Sequence, residues 1–343
     1  MKNRYVALTG ALAIAIAVSM APVSVAGQAP TTAAKSPTKA AKKWTVPRTQ
    51  DGQPDLQGVW NFATITPLER PANLGDKQVL TDEEAAALEE QAAAGRVDRA
   101  PRPGDTGTYN QFWFDRGTKV IETKRSSLIV DPPDGRIPPL TPEAKKRDDE
   151  RSAVLNAEPR SYLDRSLSER CVVRPWSGPP ISPGPYNNNL QLFQSPNYVV
   201  IYLEQNHDSR IVPLDGRPHV NQNIRQMLGD SRGHWEGDTL VVDSTNFVGH
   251  IGGTSFRGSG PNMHLVERFT RVDADTLNYE YTLTDPTAYT KPWTAVIPMG
   301  KTDDKVYEYA CHEGDYSIEN VLRGARAQER FKAEEAAKTK PGP

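Results

Sequence analysis

From Leu190 onward the chain is cut into short runs rich in Val, Ile, Tyr and Thr: "YVVIYLE", "RIVPLD", "TLVVDSTNF", "HLVERFTRV", "LNYEYTL", "WTAVIP" and "KVYEYAC". Gly, Asp and Asn turns separate them at a spacing of roughly ten residues, the pattern of successive antiparallel strands. β-branched and aromatic side chains suit a pleated, half-buried surface. The expected fold class is therefore mainly β (α+β): an antiparallel barrel or sandwich. Inside this region "GDSRGHWEGDTLVV", Gly229–Val242, reads as a hairpin. Trp235 ends one strand, Glu236-Gly237-Asp238 turns, and Thr239–Asp243 returns. "RVDADTL" at Arg271–Leu277 repeats the device. Asp and Gly favour turns for backbone reasons, so Glu236 and Asp238 are turn residues first and catalysts second.

The N-terminal part reads differently. "LTDEEAAALEEQAAAG" opens with Thr81 as N-cap and Glu84 three residues on, a capping box, and Gly95 marks its stop. "TPEAKKRDDERSAVL" is a second helix, with Thr141 as cap and Pro142 at the first helical position. "SSLIVDPPDGRIPPL" holds a short strand and a Pro-rich turn, and "RPWSGPPISPGPYNNN" is too broken for regular structure. One or two N-terminal helices are thus expected to pack on the sheet.

At the chain start, Lys2 and Arg4 precede an apolar run to Met20 and a small-x-small site at Ser24-Val25-Ala26. That is the pattern of a secretory signal peptide cut after about Ala26. The apolar run falls short of the roughly 20 residues that span a bilayer, which disfavours a membrane anchor. The expected organisation is a signal peptide over 1–26, a flexible Ala/Pro/Thr/Lys leader over 27–43, one β-rich domain with a helical N-terminal part over 44–335, and a disordered tail over 336–343. The expected location is the periplasm or the exterior, without membrane insertion.

The formal charge is −2, and cleavage removes Lys2 and Arg4 to leave −4. A weakly acidic surface argues against nucleic acid as a partner. Cys171 and Cys311 are the two cysteines, and in an oxidising compartment a single disulfide is the simplest state. Two free thiols are the alternative. No GxGxxG, P-loop or HExxH pattern occurs, and the GxSxG match at Gly229–Gly233 lies in the expected hairpin rather than at a strand-to-helix elbow, so no cofactor and no metal is assigned.

All six histidines fall between His207 and His312, mostly at strand ends or loops. Barrels place ligand sites at such mouths, and imidazole exchanges protons near neutral pH. On one strand Leu265, Glu267, Phe269 and Arg271 share a side; on another Tyr198, Val200, Tyr202 and Glu204 do. A carboxylate among aromatics is costly to bury unless paired or protonated. Two readings follow for Glu267: a general acid with a raised pKa, or a structural ion pair with an arginine of a neighbouring strand. "CHEGDY" gathers Cys311, His312, Glu313 and Asp315, and a disulfide would hold that segment rigid.

The runs "VPRTQDGQPDLQGVW", "SSLIVDPPDGRIPPLTPEA", "GDSRGHWEGDTLVVDSTNF", "HLVERFTRVDADTLNYEYTLTDP" and "YEYACHEGDYSIENVLRGARAQE" resemble a family of exported bacterial proteins. The likeness covers nearly the whole chain after Trp44. It implies one domain rather than two and transfers no catalytic residue. "GVW" at Gly58–Trp60 is also similar to the first-strand signature of lipocalins, which implies a barrel that holds a small apolar ligand.

The functional expectation is cofactor-independent acid–base chemistry, of a lyase, hydratase or isomerase, on a small hydrophobic or aromatic molecule. Its candidate catalytic residues are Glu204, His219, His264, Glu267, His312 and Glu313. Tyr202, Arg217, His234 and Trp235 are candidates for binding the substrate. The alternatives are a periplasmic binding protein without catalysis, and a metal-dependent hydrolase or oxygenase built on loop histidines.

Overall fold

The computed structural model describes residues 44–98, 100, 110–174, 176–249 and 259–339. The signal peptide, the leader and His250 lie outside the described residues. Ten strands make one antiparallel sheet. Strands β3 (Asn189–Ser195), β4 (Tyr198–Leu203) and β5 (Ser209–Pro213) form one meander. Strands β6 (Asp230–Glu236), β7 (Thr239–Thr245), β8 (His264–Arg271), β9 (Thr276–Thr284) and β10 (Trp293–Thr302) form another. Strand β1 (Gly58–Asn61) joins the two, pairing with β3 on one side and with β10 on the other. The short β2 (Ile129–Asp131) occupies the same margin of β10 further along, opposite Thr294 and Ala295. Apart from β2, neighbours in the sheet follow the order of the chain around an up-and-down path.

The sheet curls into an open barrel. Its two edge strands, β5 and β6, share no hydrogen-bonded ladder. They nevertheless meet: a Cβ on Gly233 of β6 would lie 2.6 Å from Leu214 Cδ2 and 2.8 Å from Val212 Cγ1. Alternation sets what faces inward. On β8, Leu265, Glu267, Phe269 and Arg271 are buried while the residues between them are not. Trp60, Phe269, Tyr279, Tyr281 and Trp293 are all fully buried, so large side chains fill the interior as a packed core.

Helix α1 (Asp82–Ala94) carries the expected capping box, with Thr81 and Glu84 bonded reciprocally. Helix α2 (Pro142–Asn156) starts at Thr141, whose side chain accepts from Ala144 N, and buries Ala144 against the core. The "KVYEYAC" run is not a strand, which corrects the expectation: β10 ends at Thr302. Both margins of β10 are already taken by β9 and by β1 with β2. Residues 303–311 instead run outside β3 and β4 as a strap. There Tyr307 N donates to Glu204 Oε1 and Tyr309 N to His207 Nδ1. Cys171 and Cys311 form a disulfide that fastens the end of this strap. A third helix, α3 (Ser317–Lys338), follows, so the segment expected as tail from 336 is helical as far as Lys338.

Candidate functional site

Glu204 follows the last residue of β4 and continues its outward-facing side. It is 4 % exposed, and the strap covers it. Asn189 Nδ2 donates to its Oε2 at 2.9 Å, and Asn61 Nδ2 in turn donates to Asn189 Oδ1 at 2.7 Å. These two amides come from the outward faces of β1 and β3. The Asn61 side chain also favours the charged form of Asp115. A polar chain therefore runs from Asp115 through Asn61 and Asn189 to Glu204. Asp115 stands at the rim, and desolvation raises its carboxyl above the ordinary aspartate range against the opposing charge of Arg96.

Asp115, Asn189 and Glu204 line a cleft of about 580 Å³ whose walls include Phe112, Trp113, Tyr186, Tyr307 and Tyr309. Tyr186 and Tyr309 stack at 6.4 Å between centroids, and Arg174 lies 5.7 Å over Tyr309. The turn behind Glu204 is strained: Asn206 and His207, neither of them glycine, have φ of 68° and 54°. That turn brings His207 under the strap and against Tyr202, with ring centroids 5.8 Å apart. Burial raises the Tyr202 hydroxyl pKa, and the negative charge of Glu204 adds to the effect. Asp208, the next residue, is pushed up to about 6 by burial, against hydrogen bonds from Asn206 and Ser177.

The structure brings His219 and His264 together elsewhere, on the outer face of β6–β8. His219 Nδ1 lies 2.8 Å from Asp230 Oδ2 and its Nε2 3.1 Å from Asp243 Oδ1. His264 Nε2 lies 2.8 Å from Asp243 Oδ2. Asp243 raises the His264 pKa through this hydrogen bond, against desolvation. Burial would raise Asp243, but bonds from His264 and His219 outweigh it and leave its pKa lowered. Arg232 Nη1 donates to Asp230 Oδ1 at 2.7 Å and closes the row. Each ring nitrogen in contact here addresses an oxygen of the row. Among the described residues no group of three or more His, Cys, Asp and Glu side chains converges as a metal site.

The remaining candidates are dispersed. Glu267 is fully buried in the barrel interior. Arg210 of β5 grips it with two bonds of 2.6 and 2.8 Å, and Tyr279 OH donates at 2.7 Å. Arg217 is exposed, pairs with Asp215, and touches Tyr198 OH at 3.2 Å. His234 lies on the rim, 3.2 Å from Glu236, which also accepts from Arg268 at 2.7 Å. Trp235 packs against the core and borders a separate shallow cleft beside Arg48 and Gln194. His312 and Glu313 are exposed in the turn that follows the disulfide.

Sequence reasoning missed Asp115, His207, Asp230 and Asp243 as members of these clusters. Asp243 carried one usable signal, since it follows the apolar run Leu240–Val242 on the same hairpin as His234, whereas Asp230, between Gly229 and Ser231, carried none. Asp115 carried none, because its place in the cleft depends on a loop far from β4 in the chain. In comparison with known proteins, no family model and no curated protein matches the chain.

Proposed function

We propose that this is an exported, periplasmic protein that holds a small ring-bearing molecule in the Glu204 cleft and acts on it by cofactor-independent acid–base chemistry, as a lyase, hydratase or isomerase does. The N-terminal charge-then-apolar pattern and the disulfide support export. One observation carries the chemical reading: a carboxylate nine-tenths or more buried lines an aromatic-walled cleft beside a second carboxyl whose pKa is raised. Two titratable groups in unlike surroundings can divide the roles of base and acid. Glu204, fixed by Asn189 and the strap amide, takes a proton from the ligand. Asp115, more readily protonated than an ordinary aspartate, returns one to the leaving or rearranged atom. The tyrosine and tryptophan walls hold the ring.

A binding protein without turnover is the second reading. It is favoured by the fact that both oxygens of Glu204 already accept hydrogen bonds.

The test follows a panel of small aromatic and cyclic compounds by proton NMR in deuterated buffer with the mature protein. Turnover or solvent exchange should fall about 10²–10⁴-fold in Glu204→Gln while binding changes little, the usual scale of general acid–base catalysis. The pH profile should show a limb above the ordinary aspartate range that disappears in Asp115→Asn. Undiminished turnover in Glu204→Gln would remove the catalytic reading. Binding without turnover across the whole panel would leave the binding protein.

A further inference from the structure

Helix α1 covers a second cleft, remote from Glu204 in its lining. Its volume is about 360 Å³, and Leu74, Leu80, Leu88, Ile65 and Val120 are its large aliphatic lining residues. Its only charged lining residue is Arg125. Arg125 is half-buried, and its Nη2 donates to two main-chain carbonyls, Val296 O at 3.0 Å and Leu128 O at 3.4 Å. Its Nε is buried without an acceptor, and among the described residues no carboxylate lies within ion-pair distance of the guanidinium.

Three acids of α1 are committed elsewhere. On α1, Asp82 pairs with Lys124, Glu84 with Lys77 at 2.5 Å, and Glu89 with Lys119 at 2.6 Å. A second guanidinium adds to the positive field: buried Arg70 donates through Nε to Ser126 Oγ at 3.0 Å, and Ser126 also lines the cleft. Desolvation alone lowers the Arg125 pKa, as expected where no counter-charge stands near. A cation placed in apolar surroundings without a partner is costly unless an anion completes it.

We infer that this cleft binds a small monocarboxylic acid with an apolar body, its carboxylate on the Arg125 guanidinium and its ring or short alkyl chain against Leu74, Leu80 and Leu88. With Nη2 engaged by the two carbonyls and Nε buried, Nη1 is left to meet a carboxylate oxygen in a charge-assisted bond, and the cleft lies at the small end of the range for ligand sites. An apolar acid satisfies both features at once. A free phosphate would leave the leucine wall unused, and a neutral lipid would leave the charge unmet. The inference is independent of the Glu204 reading, because the two clefts share no lining residue.

The experiment is calorimetric titration of the full mature chain with octanoate and with phenylacetate, and with octanol as the uncharged control. At least one acid should bind, with octanol at least tenfold weaker. Arg125→Gln should weaken the acid at least tenfold. Because Arg125 also ties two main-chain carbonyls, a second variant guards against a folding defect. Leu88 is 41 % exposed on α1, so Leu88→Glu should leave the melting temperature unchanged. It sets a carboxylate at the cleft and should weaken the acid at least tenfold as well. Glu204→Gln should bind the acid as the wild type does. Failure of both acids to bind, octanol binding as tightly as octanoate, or full affinity in Leu88→Glu would each overturn the assignment.

Discussion

Removing one partner of the Arg210–Glu267 pair strands a charge in the barrel interior. Both side chains are buried, 4 % and 0 % exposed, and the two bonds between them are bidentate. Glu267→Gln should therefore cost about 3–5 kcal/mol, the scale for breaking a buried pair from one side. Arg210→Met should cost a similar amount. The double variant should cost much less than the sum, because neither leaves a charge for the other to miss. Urea denaturation of the four proteins measures this coupling. Additive losses would show that the two side chains act separately. A stably folded Glu267→Gln that lost only turnover would return Glu267 to catalysis. The geometry favours the structural outcome, since Tyr279 takes up a further lone pair and the surrounding residues belong to the core. The same logic separates Glu204 from Glu267. Both alternate with aromatic neighbours in the sequence, but one lies on the outward side of its strand and the other on the inward side.

At the scale of elements, local signals were legible and long-range ones were not. The capping box of α1, the Thr141-Pro142 start of α2 and the β6–β7 and β8–β9 hairpins are each encoded within a few residues, and each formed as read. The strap failed this test. Residues 303–311 have strand composition, but a strand also needs a free neighbour, and β10 has none left to offer. Helix α3 carried a local signal that went unread: Ile318, Val321, Leu322 and Ala325 recur at helical spacing among Glu and Arg residues, although of the whole helix only Ala325 is buried. The candidate cleft was half legible. Glu204 could be read from the end of β4, whereas Asp115 and the aromatic walls arrive from segments distant in the chain. Besides the bonds of Tyr307 and Tyr309, the strap is tied at its end by the disulfide between residues 140 apart in sequence. Replacing both cysteines by alanine should destabilise the protein by up to about 5 kcal/mol in the chain-entropy model. The loss should be local in hydrogen exchange: amides of Tyr307 and Tyr309 should lose protection before those of β7 and β8, because the strap has no ladder of its own. Equal loss of protection across strap and sheet would mean that the disulfide serves the whole fold and leaves the cleft no special tether.

The β-rich unit that begins at Trp44 is organised by a sheet that goes nearly full circle without closing. Up-and-down order brings β5 and β6 together as the last two edges, and the segment between them spans the gap. An unpaired strand edge is a liability unless something covers it. Here side chains do so. Val212 and Leu214 from the β5 side fill the space that Gly233 leaves open on β6, and Arg210 reaches over the interior to Glu267 on β8. The seam is therefore closed by packing and by one buried ion pair rather than by main-chain bonds. Glycine at 233 is a matter of room, since its neighbours, and not its backbone angles, exclude a larger residue. A methyl group meets the end of Leu214, which has some freedom to shift, and the stiff, buried Val212, so Gly233→Ala should cost about 1 kcal/mol, the low end of overpacking. Gly233→Val has no such escape and should cost about 1–3 kcal/mol, the usual penalty for overpacking. It should also raise hydrogen exchange in β5 and β6 above that of β8 and β9. Denaturation midpoints and exchange rates of the two variants decide the matter. Equal midpoints for alanine and valine would mean that the edges are free to separate at 233. The barrel would then be held at its seam by the Arg210–Glu267 pair alone, and the loss in Glu267→Gln would become the measure of how firmly the fold is shut.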